Sequence, residues 1–315
     1  MDIGVPLAQV TRSGRVESLH TGHAVIVDPD GAVLQAWGSP RDAYFPRSSN
    51  KPLQAAGMVE AGLDLSGAQL AIAAASHNGE QFHLDTVRAI LAGGDLSEAD
   101  LRNTPALPVG AEAQAAWLAA GHGPCALTQN CSGKHAAMLR TALVLGASTC
   151  DYLDPEHPVQ RASLAGIERL SGERVAGLGV DGCGAPVAAI SLVGLARAFG
   201  RMVQAGDETA EGRVARAMSA HPQYVGGTGR DVTGFMRAVP GAIAKDGAEG
   251  VHALALPDGR AAALKLTDGS ERARAAVVVA LLCRLGIDDE AVLAASGPAP
   301  VLGGGVPVGA VTGLI

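Results

Sequence analysis

Aromatic side chains are nearly missing from this chain: Phe, Trp and Tyr make up 3% of its 315 residues. A core without them must be built from Ala, Val, Leu and Ile, and the 42 glycines let backbones approach closely enough for such small side chains to fill space. No basic cluster relieves the net charge of −7, which argues against nucleic acid as the main partner. Long apolar runs are lacking too. The longest, Ala275–Cys283, is fenced by Arg274 and Arg284 and falls far short of the ~20 residues that span a bilayer, so no membrane partner is expected. The opening MDIGVPLAQVTRSG has no basic stretch followed by an apolar one, so no secretory leader is expected and the location is read as cytoplasmic. Cysteine is sparse and odd in number: positions 125, 131, 150, 183 and 283 do not make a disulfide framework. Hydrophobic residues at 48% against charged ones at 17% identify a folded globular chain, not a disordered one.

What is present reads as strands at both ends with helices between. His23–Asp28 and Ala32–Trp37 are β-rich runs joined by Asp-Pro-Asp-Gly, a strong turn signal, and predict a hairpin. Val5–Val10 and Arg15–Leu19 add to that sheet. From Ser49 to Gly62 the spacing of Leu53, Ala56, Gly57 and Glu60 is helical, with Pro52 in the first turn, where a missing N–H costs little. Helices are expected over Gln81–Ala92, Ala111–Ala120, Lys134–Leu145, Pro158–Leu170, Pro186–Val203 and Gly212–Ser219. Strands return at Gly241–Lys245, Val251–Leu256 and Ala261–Leu266, and a helix over Ser270–Leu285 precedes a tail rich in Gly, Pro and Val. The expectation is a single α/β domain over 1–315. Its mainly antiparallel sheet comes from 1–62 plus 225–315, is flanked by helices, and has a helical region over 63–224.

Three short motifs carry chemistry. Arg-Ser-Ser-Asn-Lys-Pro (47–52) sets the Ser48 hydroxyl three positions before the Lys51 amine, over one helical face. Read blandly it is a serine cap and a surface lysine. Read chemically, backbone N–H groups at a helix start favour developing negative charge, and a lysine shielded from water can act as a base. Ala-Ser-His-Asn-Gly-Glu (75–80) then holds Ser76-x-Asn78, and Ala-Lys-Asp-Gly (244–247) holds Lys245-x-Gly247. That ordered set is the constellation of penicillin-recognising acyltransferases. For Asn-Cys-Ser-Gly-Lys-His (130–135) and Asp-Gly-Cys-Gly (181–184), three readings stay open: cysteines packed as small hydrophobes, a zinc site short of two further ligands, or a Cys131–His135 catalytic pair. Gly-Gly-Thr-Gly-Arg (226–230) and Leu-Gly-Gly-Gly-Val (302–306) lack the lysine and hydroxyl of a phosphate loop and read as close backbone packing. His221 reads as a cap.

Together RSSNKP, ASHNGE, NCSGKHAAML, VDGCGAP, AHPQYVGGTGR and GAIAKDGAEG resemble the rhizobial-type L-asparaginases, the asparaginase II family, from about residue 5 to 290. The resemblance implies a fold similar to serine β-lactamases and serine glutaminases, and two serine–lysine tandems, Ser48 with Lys51 and Ser76 with Lys245. It also implies zinc on Cys131, Lys134 and Cys183 with water as fourth ligand, and no organic cofactor. Asp181, His135 and Arg47 would stand near the substrate. Asn78 departs from the family, where serine is common. The implied activity is hydrolysis of L-asparagine to L-aspartate and ammonia through a serine–lysine acyl-enzyme, in a homodimer. A glutaminase or other small-amide hydrolase of the same fold, and a non-catalytic ligand-binding protein on this scaffold, are the alternatives.

Overall fold

The computed structural model describes residues 2–315. It opens with β1 (Val5–Arg12) and β2 (Arg15–Val27), joined by Ser13-Gly14 with both residues at positive φ, the twist that a two-residue hairpin needs. Arg15–Leu19 is therefore not a separate strand but the first part of β2. The expected hairpin follows as β2 against β3 (Val33–Trp37), and β4 (Ala43–Tyr44) leads to the 3₁₀ turn Arg47–Asn50.

Helices then dominate: α1 (Lys51–Glu60), α2 (Gly67–Ala73), α3 (Gln81–Ala92), α4 (Ala111–Ala119), α5 (Ser132–Val144) and α6 (Pro158–Ser171). The helix expected over Pro186–Val203 is instead two elements. After β5 (Gly177–Val180) comes β6 (Pro186–Ser191), and only then α7 (Leu192–Gln204). Tertiary pairing decides this stretch: β6 lies between β5 and β4, and Ser191 caps α7 by accepting from Gly194 N–H. The chain continues through α8 (Ala210–Ala220), α9 (Pro222–Val225), α10 (Asp231–Ala238), β7 (Ile243–Gly247), β8 (Val251–Ala255), β9 (Ala261–Leu266), α11 (Arg274–Arg284), α12 (Glu290–Ser296), β10 (Val301–Gly303), β11 (Val306–Gly309) and β12 (Val311–Gly313). His221 ends α8 and begins α9.

The main sheet has the order β12-β1-β2-β9-β8-β7, with β3 also on β2, and every pairing is antiparallel. Both ends of the chain thus build one sheet. Alternation of exposed and buried residues disappears in β7, β8 and β9, which are buried throughout because helices cover both faces. The core is aliphatic, as the scarcity of aromatics requires.

Two close approaches place the chemistry. Helix α1 crosses α6 at Gly57 and Gly166: a Cβ on Gly166 would lie 2.6 Å from Leu53 O, and one on Gly57 would collide with Ala162 O. Gly247, at the end of β7, presses on the 3₁₀ turn, where a Cβ would stand 2.5 Å from Pro46 O. Edge strand β7 is thereby brought to the start of α1, and Ser49 Oγ locks the contact by donating to Lys245 O at 3.0 Å.

Candidate active site

The 3₁₀ turn leaves Ser48 half-buried and delivers Lys51, 1% exposed, at the first position of α1. Lys51 Nζ donates to Ala75 O at 2.5 Å, to Ser76 Oγ at 3.0 Å and to Cys131 Sγ at 3.1 Å. The lysine that sequence spacing pairs with Ser48 is therefore hydrogen-bonded to the other serine. Ser76 follows α2, and its own N–H is tied to Val225 O at 3.0 Å. The next two residues are fixed as firmly: His77 Nε2 meets Ser132 Oγ at 2.9 Å, and Asn78 N–H donates to Gly226 O. Burial holds His77 neutral, its pKa well below the usual value.

Beside Lys51 lies the cysteine–lysine cluster. Cys131 precedes α5, Lys134 lies in its first turn, and Cys183 sits in the tight β5–β6 turn; all three are buried. Lys134 Nζ lies 3.4 Å from Cys183 Sγ. A hydrogen bond from Cys183 favours thiolate on Cys131, burial opposes it, and the charges of Lys51 and Lys134 reinforce it, so Cys131 is the acidic sulfur of the pair. Burial works against the Lys134 charge, but Cys183, Cys131 and Asp181 outweigh it and raise its pKa. Two sulfurs and an amine converging in a buried spot are a donor set suited to a borderline-soft divalent cation such as zinc, which would displace the Lys134 and thiol protons. No group of three or more His, Cys, Asp and Glu able to hold a metal occurs among the described residues. The third donor here is lysine.

Next to that cluster, Arg47 Nε donates to Asp181 Oδ1 at 2.7 Å. Arg47 has φ of 51°, a left-handed value uncommon for a residue with a side chain, and the ion pair helps to hold it. Burial pushes the Asp181 carboxyl up, but Lys134 and Arg47 bring it below its ordinary value. His135 is fully buried and contacts Tyr152 OH through Nδ1 at 2.9 Å. Tyr152 OH also accepts from Arg102 N–H. His135 Nε2 has no protein partner among the described residues. Burial, with Lys134 and Lys51 nearby, keeps the ring neutral.

Lys245 on β7 is 0% exposed, and it does not bond to Ser76. Its Nζ donates to Asp246 Oδ1 at 2.5 Å and to Asp246 O at 2.7 Å. Burial lowers its pKa to about 8; Asp246 resists the shift and Lys51 adds to it. Asp246, Arg230 and Tyr152 escaped the sequence reading because nothing local marks them. Lysine usage could have marked the rest. The chain contains four lysines, at 51, 134, 245 and 265, and every one is buried. Lysine is almost never fully buried unless paired. A chain whose surface cations are arginines has reserved lysine for its interior, and three of the four meet here.

The family model of L-asparaginase II matches residues 8–313. No curated protein matches the chain. Among solved structures, a β-lactamase of Mycobacterium bovis aligns with 14% identity over 84% of this chain and 95% of that one, at a TM-score of 0.46. No helix among the described residues is long and apolar enough to cross a membrane.

Proposed function

The chain belongs to the L-asparaginase II family, and on that premise we propose that it hydrolyses the side-chain amide of L-asparagine through a seryl ester. The observation that carries the reading is the buried Lys51–Ser76 hydrogen bond of 3.0 Å one helical turn from Ser48. In this reading Lys51 has given up one of the three protons that it donates as an ammonium, and the freed lone pair takes the proton of Ser48 Oγ as that oxygen attacks the amide carbonyl carbon. The Lys51–Ser76 bond relays a proton towards the departing nitrogen, and the C–N bond breaks to release ammonia. Lys245, whose pKa burial lowers to about 8, takes up in its neutral form the proton that ester hydrolysis releases. Water then cleaves the ester, returning Ser48 to its hydroxyl form and releasing L-aspartate.

Arg47 and Asp181 fit the two charged ends of an α-amino acid: a guanidinium for the carboxylate and a carboxylate for the ammonium. His135 Nε2, which has no protein partner among the described residues, is free to bond the substrate. A zinc ion would be held by Cys131, Cys183 and Lys134, and when bound would supply a fixed positive charge for orienting substrate. Its place beside Asp181 suits that role, because the serines already provide the nucleophile.

The test is ammonia release from L-asparagine and L-glutamine side by side. Faster turnover of L-asparagine is expected. Preference for L-glutamine would replace the substrate assignment, and no ammonia from either would sink the hydrolase reading in favour of a binding protein on this scaffold.

A further inference from the structure

The residue between Lys245 and Gly247 is an aspartate whose side chain is 7% exposed. Both of its carboxylate oxygens are spent. Oδ1 accepts from Lys245 Nζ at 2.5 Å, and Oδ2 accepts from Arg230 Nη2 at 2.6 Å, with Arg274 Nη1 4.0 Å away. Arg230 reaches in the other direction too: its Nη1 donates to Asn78 Oδ1 at 3.3 Å. Asn78 Nδ2 in turn donates to Thr228 O at 3.0 Å, and its backbone N–H to Gly226 O at 2.9 Å. A single carboxylate therefore ties Lys245 on β7 to the segment that carries Ser76.

Burying an aspartate is costly until its partners repay it, so apolar residues in place of the whole Lys245–Asp246–Arg230 cluster would serve stability about as well. What the carboxylate adds is direction. Lysine has a long flexible stem, and a buried acceptor with fixed partners holds Nζ at one point.

We infer that Asp246 is a positioning residue: it fixes Lys245 Nζ and, through the Arg230–Asn78 bridge, registers that amine against the Ser76 segment. The inference rests on the proton-transfer role proposed for Lys245. The charges facing the pair are Lys51 from α1, Arg230 and Asp231 from the start of α10, His252 from β8, Arg274 from α11, and Glu271, which acts on Arg230 from the turn before α11. Counted without Lys51 and Glu271, Arg230 and Arg274 balance Asp246 and Asp231 when Lys245 is neutral, so the Lys245 proton is the excess charge of the cluster. Removing Asp246 leaves that proton less favoured, whereas removing Arg230 leaves it more favoured.

The experiment is steady-state kinetics across pH 6–10 for the wild type, Asp246→Asn, Arg230→Gln, Lys245→Met and the double variant Asp246→Asn/Lys245→Met, with thermal melting to confirm folding. Asp246→Asn is expected to lower kcat by ~10- to 100-fold, with KM within about threefold, and to move the limb near pH 8 downward. Arg230→Gln is expected to move the same limb upward. Opposite shifts from two neighbouring substitutions are not what general loosening of the core would give, and Arg230→Gln keeps the test alive if Asp246→Asn fails to fold. The double variant should be no worse than Lys245→Met alone, because Asp246 acts only through the lysine. Additive losses, or unshifted limbs with kcat retained, would overturn the inference. Should Lys245→Met itself keep full turnover, the role of Lys245 falls first, and the positioning role falls with it.

Discussion

Lys51 Nζ stands 3.0 Å from Ser76 Oγ, 25 positions along the chain, while its neighbour on the same helical turn, Ser48, makes no side-chain hydrogen bond among the described residues. The tandems read along the sequence are therefore not the hydrogen-bonded pairs in the fold: Lys51 bonds to Ser76, and Lys245 to Asp246. Ser48 is half-buried, whereas Ser76 is 3% exposed.

Substitution separates these roles. Ser48→Ala should abolish turnover while changing stability by no more than ~1 kcal/mol, the scale of a lost helix-start contact. Ser76→Ala, Lys51→Met and Lys245→Met should each lower kcat by about 100-fold or more, the usual scale of lost proton transfer. Incubation with hydroxylamine during turnover should yield aspartyl hydroxamate from wild type but not from Ser48→Ala. A tenth of wild-type rate in Ser48→Ala would remove it as nucleophile.

Alkaline conditions should stabilise the protein through Lys245. Its folded pKa is about 8 against 10.5 unfolded, so between those values the unfolded chain binds more protons and unfolding free energy rises with pH. The gain approaches about 3 kcal/mol. Measured by urea denaturation at pH 7 and pH 10, the wild type should gain on Lys245→Met by roughly that amount. An unchanged difference would mean that the lysine is not desolvated in solution.

Acid should act in the opposite sense through histidine. Burial holds His83 and His252 at about 4 and drives His77 and His135 well below the ordinary 6.5. Below pH 6.5 the unfolded chain takes up protons that these folded rings refuse, so stability falls before the carboxylates titrate. Each ring contributes about 1.4 kcal/mol per pH unit. His252→Gln should flatten the slope between pH 6 and 5 by one such increment, with Gln able to accept from Arg274 in its place. Stability flat from pH 7 to 5 would contradict the buried neutral rings.

Metal analysis tests the cysteine–lysine cluster. The purified protein should carry about one zinc per chain, lost in Cys131→Ser and in Cys183→Ser. Chelation should expose two additional alkylatable thiols, because metal-bound thiolates are held from reagents. Its effect on catalysis should fall mainly on KM. A metal-free protein with both thiols unreactive would leave packing as the role of these cysteines, and a collapse of kcat at constant KM would give the ion a part in bond breaking.

The sequence by itself determined the local pieces. Turn residues and apolar, β-rich runs marked the β2–β3 hairpin and the β7–β9 strands, and period 3.6 marked α1, α3, α5 and α6, because these signals lie within a few residues of the structure they encode. The short motifs also named the residues that converge. Distance along the chain hid the rest. Pro186–Ser191 reads as the front of a helix and is a strand because it pairs with the adjacent β5 and with β4 from a remote segment. The Arg47–Asp181 pair spans 134 positions, and Lys51 reaches Ser76 and Cys131 from 25 and 80 positions away. Asp246 looked like a spacer between a lysine and a glycine until the fold set Arg230 and Arg274 against it. Which amine holds which hydroxyl is decided by glycine-mediated contacts between α1, α6 and β7, and those exist only once the whole core has closed.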